Sequence, residues 1–285
     1  MMAANEKKER VYVVTGGNAG IGKAIVKALA KQQVHVVMVS RDKVRGETAV
    51  QEICQTSPNA TIDLVVGDLG TVATTHQLAR ELLERYPKIN VLINNAGVWP
   101  TKKQINADGL EEGFMVNHLA PFMLNQLLQE RLKASAPARI VNVSAGMYAN
   151  GRVDLNKTPY GHDFHPMRTY ASTKLCNMLT FPLEAQQLEG SGVTLNAVHP
   201  GVIRTNLGNM RGPLGWIMKL VKRGWATPEQ GAVAPTWLAT APELTHTNGK
   251  YFNEKETIPL AEAAKNPKLA QQLWQLSTTL SMDLE

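Results

Sequence analysis

Six short apolar runs rich in β-branched residues recur along the chain: VYVVT from position 11, VHVVMVS from 34, IDLVVGD from 62, NVLINNAG from 90, ARIVNVSAG from 138 and VTLNAVHPG from 193. Each has the length of a strand and is almost continuously hydrophobic, the pattern of strands covered on both faces. Between them the period changes. GIGKAIVKALAKQQ and THQLARELLERYP return an apolar residue every three or four positions, as one face of a helix does. Strand and helix patterns in alternation predict an α/β fold whose parallel sheet is joined by crossover helices. No linker-like composition and no repeat of fixed period interrupts it, so a single domain over residues 1–285 is expected.

Two stretches fit neither period. Residues 144–168, SAGMYANGRVDLNKTPYGHDFHPMR, form the longest segment without regular spacing, and loops of that length are usually functional. Residues 206–225, NLGNMRGPLGWIMKLVKRGW, hold a short amphipathic segment between glycines. Its apolar residues Trp216, Ile217, Leu220, Val221 and Trp225 suit a lid over a substrate, contact with a membrane surface, or a short helix over the core edge.

Composition narrows the class. A content of 44% hydrophobic and 19% charged residues is that of an ordinary globular chain. The net charge of +6 comes from basic residues spread along the sequence, without the dense block that nucleic-acid binding would call for. Cys54 and Cys176 make neither a disulfide framework nor a metal-ligand spacing, and HDFH at 162–165 has no second cluster to complete a zinc site. The polar start MMAANEKKER shows no apolar leader, and no stretch reaches bilayer length, so a cytoplasmic protein is expected.

Chemistry enters at VYVVTGGNAGIGKAIVKALA, which reads as strand, glycine-rich turn and helix. That arrangement places a pyrophosphate against helix N-terminal amides. Gly16 allows the tight turn, Gly20 close backbone approach and Gly22 close packing of helix on strand, with Asn18 and Ile21 in the same turn. Further on, TYASTK sets Tyr170 and Lys174 four residues apart, on one face of a helix. A free tyrosine has a pKa of about 10, which a neighbouring ammonium would lower, but such spacing arises often by chance, so the pair alone fits either a proton donor held by its lysine or an ordinary helix surface. No G-x-S-x-G nucleophile elbow competes with this reading.

The glycine spacing departs from G-x-G-x-x-G and resembles the T-G-x-x-x-G-x-G signature of the short-chain dehydrogenase/reductase superfamily. TGGNAGIG at 15, GDL at 67, NNAG at 94, VNH at 116, VNVSA at 141, YASTK at 170 and HPG at 199 follow in that family's order. The resemblance implies a single Rossmann-type doubly wound parallel sheet with helices on both faces. It also implies a catalytic set of Asn117, Ser144, Tyr170 and Lys174, in which the ammonium and an oxidised nicotinamide together lower the phenol of Tyr170 so that it exchanges protons with a substrate oxygen. Ser144 would hydrogen-bond the substrate oxygen, and Asn117 would help position the lysine through water. Taken singly, Asn117 also fits a helix polar residue with a local bond, and Ser144 a strand-end turn. By the same resemblance Asp68 and Leu69 lie at the adenine, Asn95, Ala96 and Gly97 line the ribose, and Pro200, Gly201 and Thr205 surround the nicotinamide, which Tyr170 and Lys174 also contact. His199 reads as a loop or strand-end residue.

The second strand ends in Ser40 and Arg41, where NAD-preferring folds commonly carry an acid. A guanidinium there suits a 2′-phosphate, so NADP is expected over NAD, unless Asp42 makes the selection. The long interval from Ser144 to Tyr170, with YASTKLCNMLTF and AVHPGVIRTNL, resembles the retinol dehydrogenase-like branch. That implies a small lipophilic carbonyl or alcohol as substrate, and homo-oligomers are common in the superfamily. A regulatory module that binds a dinucleotide without turnover is the alternative, although such a module would be expected to lack one of the four catalytic residues.

Overall fold

The computed structural model describes residues 9–201 and 226–282. Six of its strands coincide with the six apolar runs: β1 Val11–Thr15, β2 His35–Ser40, β3 Thr61–Val66, β4 Val91–Asn94, β5 Ala138–Val143 and β6 Val193–His199. Two three-residue strands, β7 Tyr251–Asn253 and β8 Glu256–Ile258, complete a single sheet in the order β3-β2-β1-β4-β5-β6-β7-β8. Every neighbouring pair is parallel except the β7–β8 hairpin at one edge.

The helices are α1 Gly20–Ala30, α2 Lys43–Thr56, α3 Val72–Arg85, α4, α5 Gln129–Ala134, α6 Pro166–Gln187, α7 Pro228–Thr240 and α8 Pro267–Leu280. Helix α4 is composite, running from Glu112–Phe114 through a π turn at Met115–Leu119 into Ala120–Leu127. The sheet's side chains alternate between two cores. Val11 and Val13 pack with residues of α3, α4, α6 and α8, whereas Tyr12 and Val14 pack with α1, α2 and α7. This double coverage is why the central strands read as unbroken hydrophobic runs: every residue of β1, β4 and β5 is buried. Edge strand β3 is buried at Val65 alone.

The order reverses between β1 and β4. In open parallel sheets the crevice at that point, beyond the carboxyl ends of the strands, is where ligands bind. The glycine turn after β1 and the NNAG segment after β4 meet there.

Candidate active site

The turn between β1 and α1 is shaped for a ligand that needs bare backbone. Gly16 and Gly20 hold φ of +65° and +53°, a region that favours glycine. A Cβ on Gly16 would lie 3.0 Å from the Cα of Ala96, and one on Gly22 would collide with the carbonyl oxygen of Gly16. Helix α1 starts after Ala19 with no side-chain cap, so the amides of Gly20, Ile21 and Gly22 have no side-chain acceptor. Asn18 is half-exposed in the turn and Ile21 packs partly against the core. These residues fit a dinucleotide pyrophosphate.

The acid and the cation after β2 are used differently. The Asp42 carboxylate accepts from the Arg45 amide at 3.0 Å as the N-cap of α2 and lies 3.6 Å from the Arg45 guanidinium. Arg41 is exposed and has no ion pair among the described residues. After β3, Asp68 accepts from the amide of Gly70 at 3.1 Å. Leu69 turns its side chain into the core, which leaves its backbone as the part able to face a base.

NNAG serves first to brace the turn. The Asn95 side chain donates to the carbonyl oxygens of Thr15 at 2.9 Å and Gly16 at 3.4 Å, while the amides of Asn95 and Ala96 both donate to the Thr15 hydroxyl at 3.0 Å. Asn95 thus supports the glycine turn through its side chain. Gly97 lies close against two of the candidate catalytic residues, since a Cβ there would stand only 3.2 Å from Asn117 Oδ1 and 3.6 Å from Lys174 Nζ.

That contact also brings Asn117 of α4 and Lys174 of α6 together. The Asn117 amide accepts from the Val98 N–H at 2.8 Å and donates to the Val98 carbonyl at 2.9 Å and to the Thr173 hydroxyl at 3.0 Å. Lys174 Nζ donates to the carbonyl of Val143 at 3.3 Å, at the residue preceding Ser144. Ser144 donates its backbone N–H to Val198 at 2.8 Å, yet its buried hydroxyl has no partner among the described residues. The Tyr170 hydroxyl likewise makes no hydrogen bond to them. Both are free to meet a substrate oxygen.

The chain's own electrostatics set the starting point of the two groups. Burial alone pushes the Tyr170 phenol up to about 12, and burial brings the Lys174 ammonium down to about 8. The chain's own groups therefore do not lower the phenol: its desolvation outweighs any help from the lysine. Within the protein by itself Tyr170 is a protonated acid.

Beyond β6, His199 closes the strand as expected and accepts from the Gly146 amide through Nδ1 at 3.1 Å, so it braces the loop after Ser144. Its imidazole is held below its usual range by burial. Pro200 is buried and Gly201 adopts φ +88°. Thr205 and the expected lid at 206–225 lie outside the described residues. The 144–168 stretch contains 3-10 turns at Gly146–Asn150 and Thr158–Tyr160 before α6 begins at Pro166.

Two residues of this site were not singled out in the sequence, Asn177, which donates to the Asn117 carbonyl at 2.6 Å, and Trp99, which stacks on Tyr170, while Thr15, the first residue of the glycine signature, receives the two amides of the NNAG loop. Among the described residues no group of three or more His, Cys, Asp or Glu is placed to hold a metal, and no helix is long and apolar enough to cross a membrane.

Known proteins resemble this chain in sequence and in fold. The short chain dehydrogenase family profile matches residues 10–213. Retinol dehydrogenase 14 of Mus musculus is 36% identical over 95% of this chain and 85% of its own length, and retinol dehydrogenase 13 of Homo sapiens is 34% identical over 95% and 84%. Among solved structures, a protein of Mycobacterium paratuberculosis superposes with a TM-score of 0.77 at 24% identity, covering 98% of this chain and 97% of that one. A short-chain dehydrogenase from Burkholderia cenocepacia J2315 in complex with NADP gives 0.69 at 21% identity, over 87% and 96%.

Proposed function

We propose that this chain, which belongs to the short-chain dehydrogenase/reductase family and is a retinol dehydrogenase-like oxidoreductase, uses NADP to interconvert a lipophilic alcohol and its aldehyde or ketone, with Tyr170 as the general acid and base. The observation that carries this reading is that the hydroxyls of buried Ser144 and Tyr170 have no hydrogen-bond partner among the described residues, while the Lys174 ammonium, one helical turn from Tyr170, is bonded to the carbonyl of Val143, the residue before Ser144.

Bound NADP would supply the hydride donor or acceptor. The protein supplies the rest. The Ser144 hydroxyl donates to the substrate oxygen, and in reduction the Tyr170 phenol passes its proton to that oxygen as negative charge builds on it. A phenol held near 12 is fully protonated at neutral pH, which is the form reduction needs. In oxidation the same oxygen must accept the proton. The Lys174 ammonium, still mostly charged near neutral pH, is the cation available to favour tyrosinate.

Arg41 supports the choice of NADP, since its guanidinium is exposed and has no ion pair among the described residues while Asp42 is engaged in capping α2. The lipophilic substrate is drawn from the names of the retinol dehydrogenase relatives. A fluorescence titration with NADPH and NADH, followed by a panel of lipophilic aldehydes and ketones, tests the reading. NADPH binding followed by its oxidation supports it, and absence of binding to either nucleotide overturns it.

A further inference from the structure

Tyr170 presents an unusual problem of orientation. Its hydroxyl must stay free for the substrate, and no described residue hydrogen-bonds it. Only the ring can be gripped. The side chain that grips it is Trp99, whose ring lies nearly parallel to the phenol, with centroids 4.5 Å apart and planes 10° from each other. The indole is itself pinned, because its N–H donates to the carbonyl of Pro166, the first residue of α6, at 2.9 Å.

The backbone leading into Trp99 is fixed as well. Val98 is clamped through both its N–H and its carbonyl by the amide of Asn117. The same amide donates to Thr173, whose hydroxyl donates to the carbonyl of Tyr170 at 3.0 Å. The contacts close into a ring: Tyr170 to Trp99, Val98, Asn117, Thr173 and back to Tyr170. Asn117 therefore reaches the tyrosine from two sides, through hydrogen bonds on one and the indole on the other.

We propose that Trp99 is a positioning residue for Tyr170, its indole fixing the plane of the phenol so that the hydroxyl is presented to the substrate oxygen. The proposal rests on Tyr170 being the proton donor. Stacked aromatic pairs resist rotation of either ring, and small misplacements of a reacting group are costly in rate. Phenylalanine can still stack at this position, whereas alanine cannot.

The test is a double-mutant cycle with NADPH and octanal, using Trp99→Ala and Trp99→Phe in the parent and in a Tyr170→Phe background. NADPH dissociation constants and melting temperatures are measured on every variant. The expected result is a fall in kcat of about 5- to 50-fold for Trp99→Ala, with NADPH affinity within about twofold of the parent and most of the rate restored in Trp99→Phe. In the Tyr170→Phe background Trp99→Ala should cost little more, because the group it positions is gone. Equal losses in both backgrounds, or an unchanged kcat for Trp99→Ala beside a collapsed Tyr170→Phe, would overturn the positioning role and leave the role of Tyr170 standing. If instead Tyr170→Phe turns over like the parent, the proton-donor reading fails first.

Discussion

The ammonium of Lys174 donates to the carbonyl oxygen of Val143, 3.3 Å away, and so ties the helix that carries Tyr170 to the end of the strand that precedes Ser144. The lysine therefore holds the frame of the site as well as its charge. Ser144, by contrast, has a hydroxyl with nothing in the described protein to hold. Ser144→Ala is expected to lower kcat by about 100-fold while leaving NADPH affinity unchanged, as removal of one donor to a developing oxyanion does. Lys174→Met should lower both. Steady-state kinetics beside a cofactor titration distinguishes the two patterns.

Arg41 and Asp42 sit side by side with different tasks. With the Asp42 carboxylate taken up at the start of α2, Arg41 is the group left to meet a 2′-phosphate. Arg41→Ala should weaken NADPH by about 10- to 100-fold, the worth of a charge-assisted bond, and leave NADH almost unaffected. Equal losses for the two nucleotides would show that Arg41 does not read the phosphate.

Gly22 tests the turn. An added methyl would meet the backbone carbonyl of Gly16 and the side-chain amide of Asn95, neither of which is a flexible end. Gly22→Ala is expected to destabilise the fold by about 1–3 kcal/mol and to abolish nucleotide binding, as measured by chemical denaturation and titration.

A buried carboxyl gives the protein a dependence on pH. Glu184 on α6 accepts from the Asn125 amide at 2.6 Å and the Thr180 hydroxyl at 2.8 Å, with Asn94 and Asn142 continuing the chain of amides. Burial raises its pKa from 4.5 to about 7, against the opposing pull of those two bonds. Between these values the folded state keeps a proton that the unfolded chain has released, so this group's stabilising contribution falls as pH rises from about 4.5 to 7. Buried His118, held down near 4 by burial, acts in the opposite sense below pH 6.5. The difference between Glu184→Gln and the parent isolates the carboxyl. The glutamine variant should gain stability relative to the parent as pH rises, by on the order of 1–3 kcal/mol at pH 8. A difference that does not change with pH would show that Glu184 titrates normally.

The six long strands and the glycine turn were legible because double burial writes an unbroken apolar run and tight backbone approach demands glycine. The β7–β8 hairpin was not, since three-residue strands such as Tyr251–Asn253 are too short to show a period. The catalytic set was read through resemblance, and the structure adds the contacts that gather Asn117, Gly97 and Lys174. Contacts across long separations left no trace in sequence. Trp99 stands 67 positions before Pro166, and Asn125 stands 59 before Glu184, so neither partnership has a local pattern. Nor does spacing report dielectric. Tyr170 and Lys174 at i and i+4 suggested a phenol lowered by the ammonium together with an oxidised nicotinamide, and only the structure shows how strongly burial within the protein by itself acts on both groups.

The most direct test of the central claim is NADPH-dependent reduction of a lipophilic aldehyde by the parent and by Tyr170→Phe, with the NADPH dissociation constant measured on both. The variant keeps the ring that stacks on Trp99 and removes the hydroxyl that carries the proton. The account predicts that kcat falls by about 100-fold or more while NADPH affinity stays within about twofold. A variant that turns over at the parent's rate would contradict it.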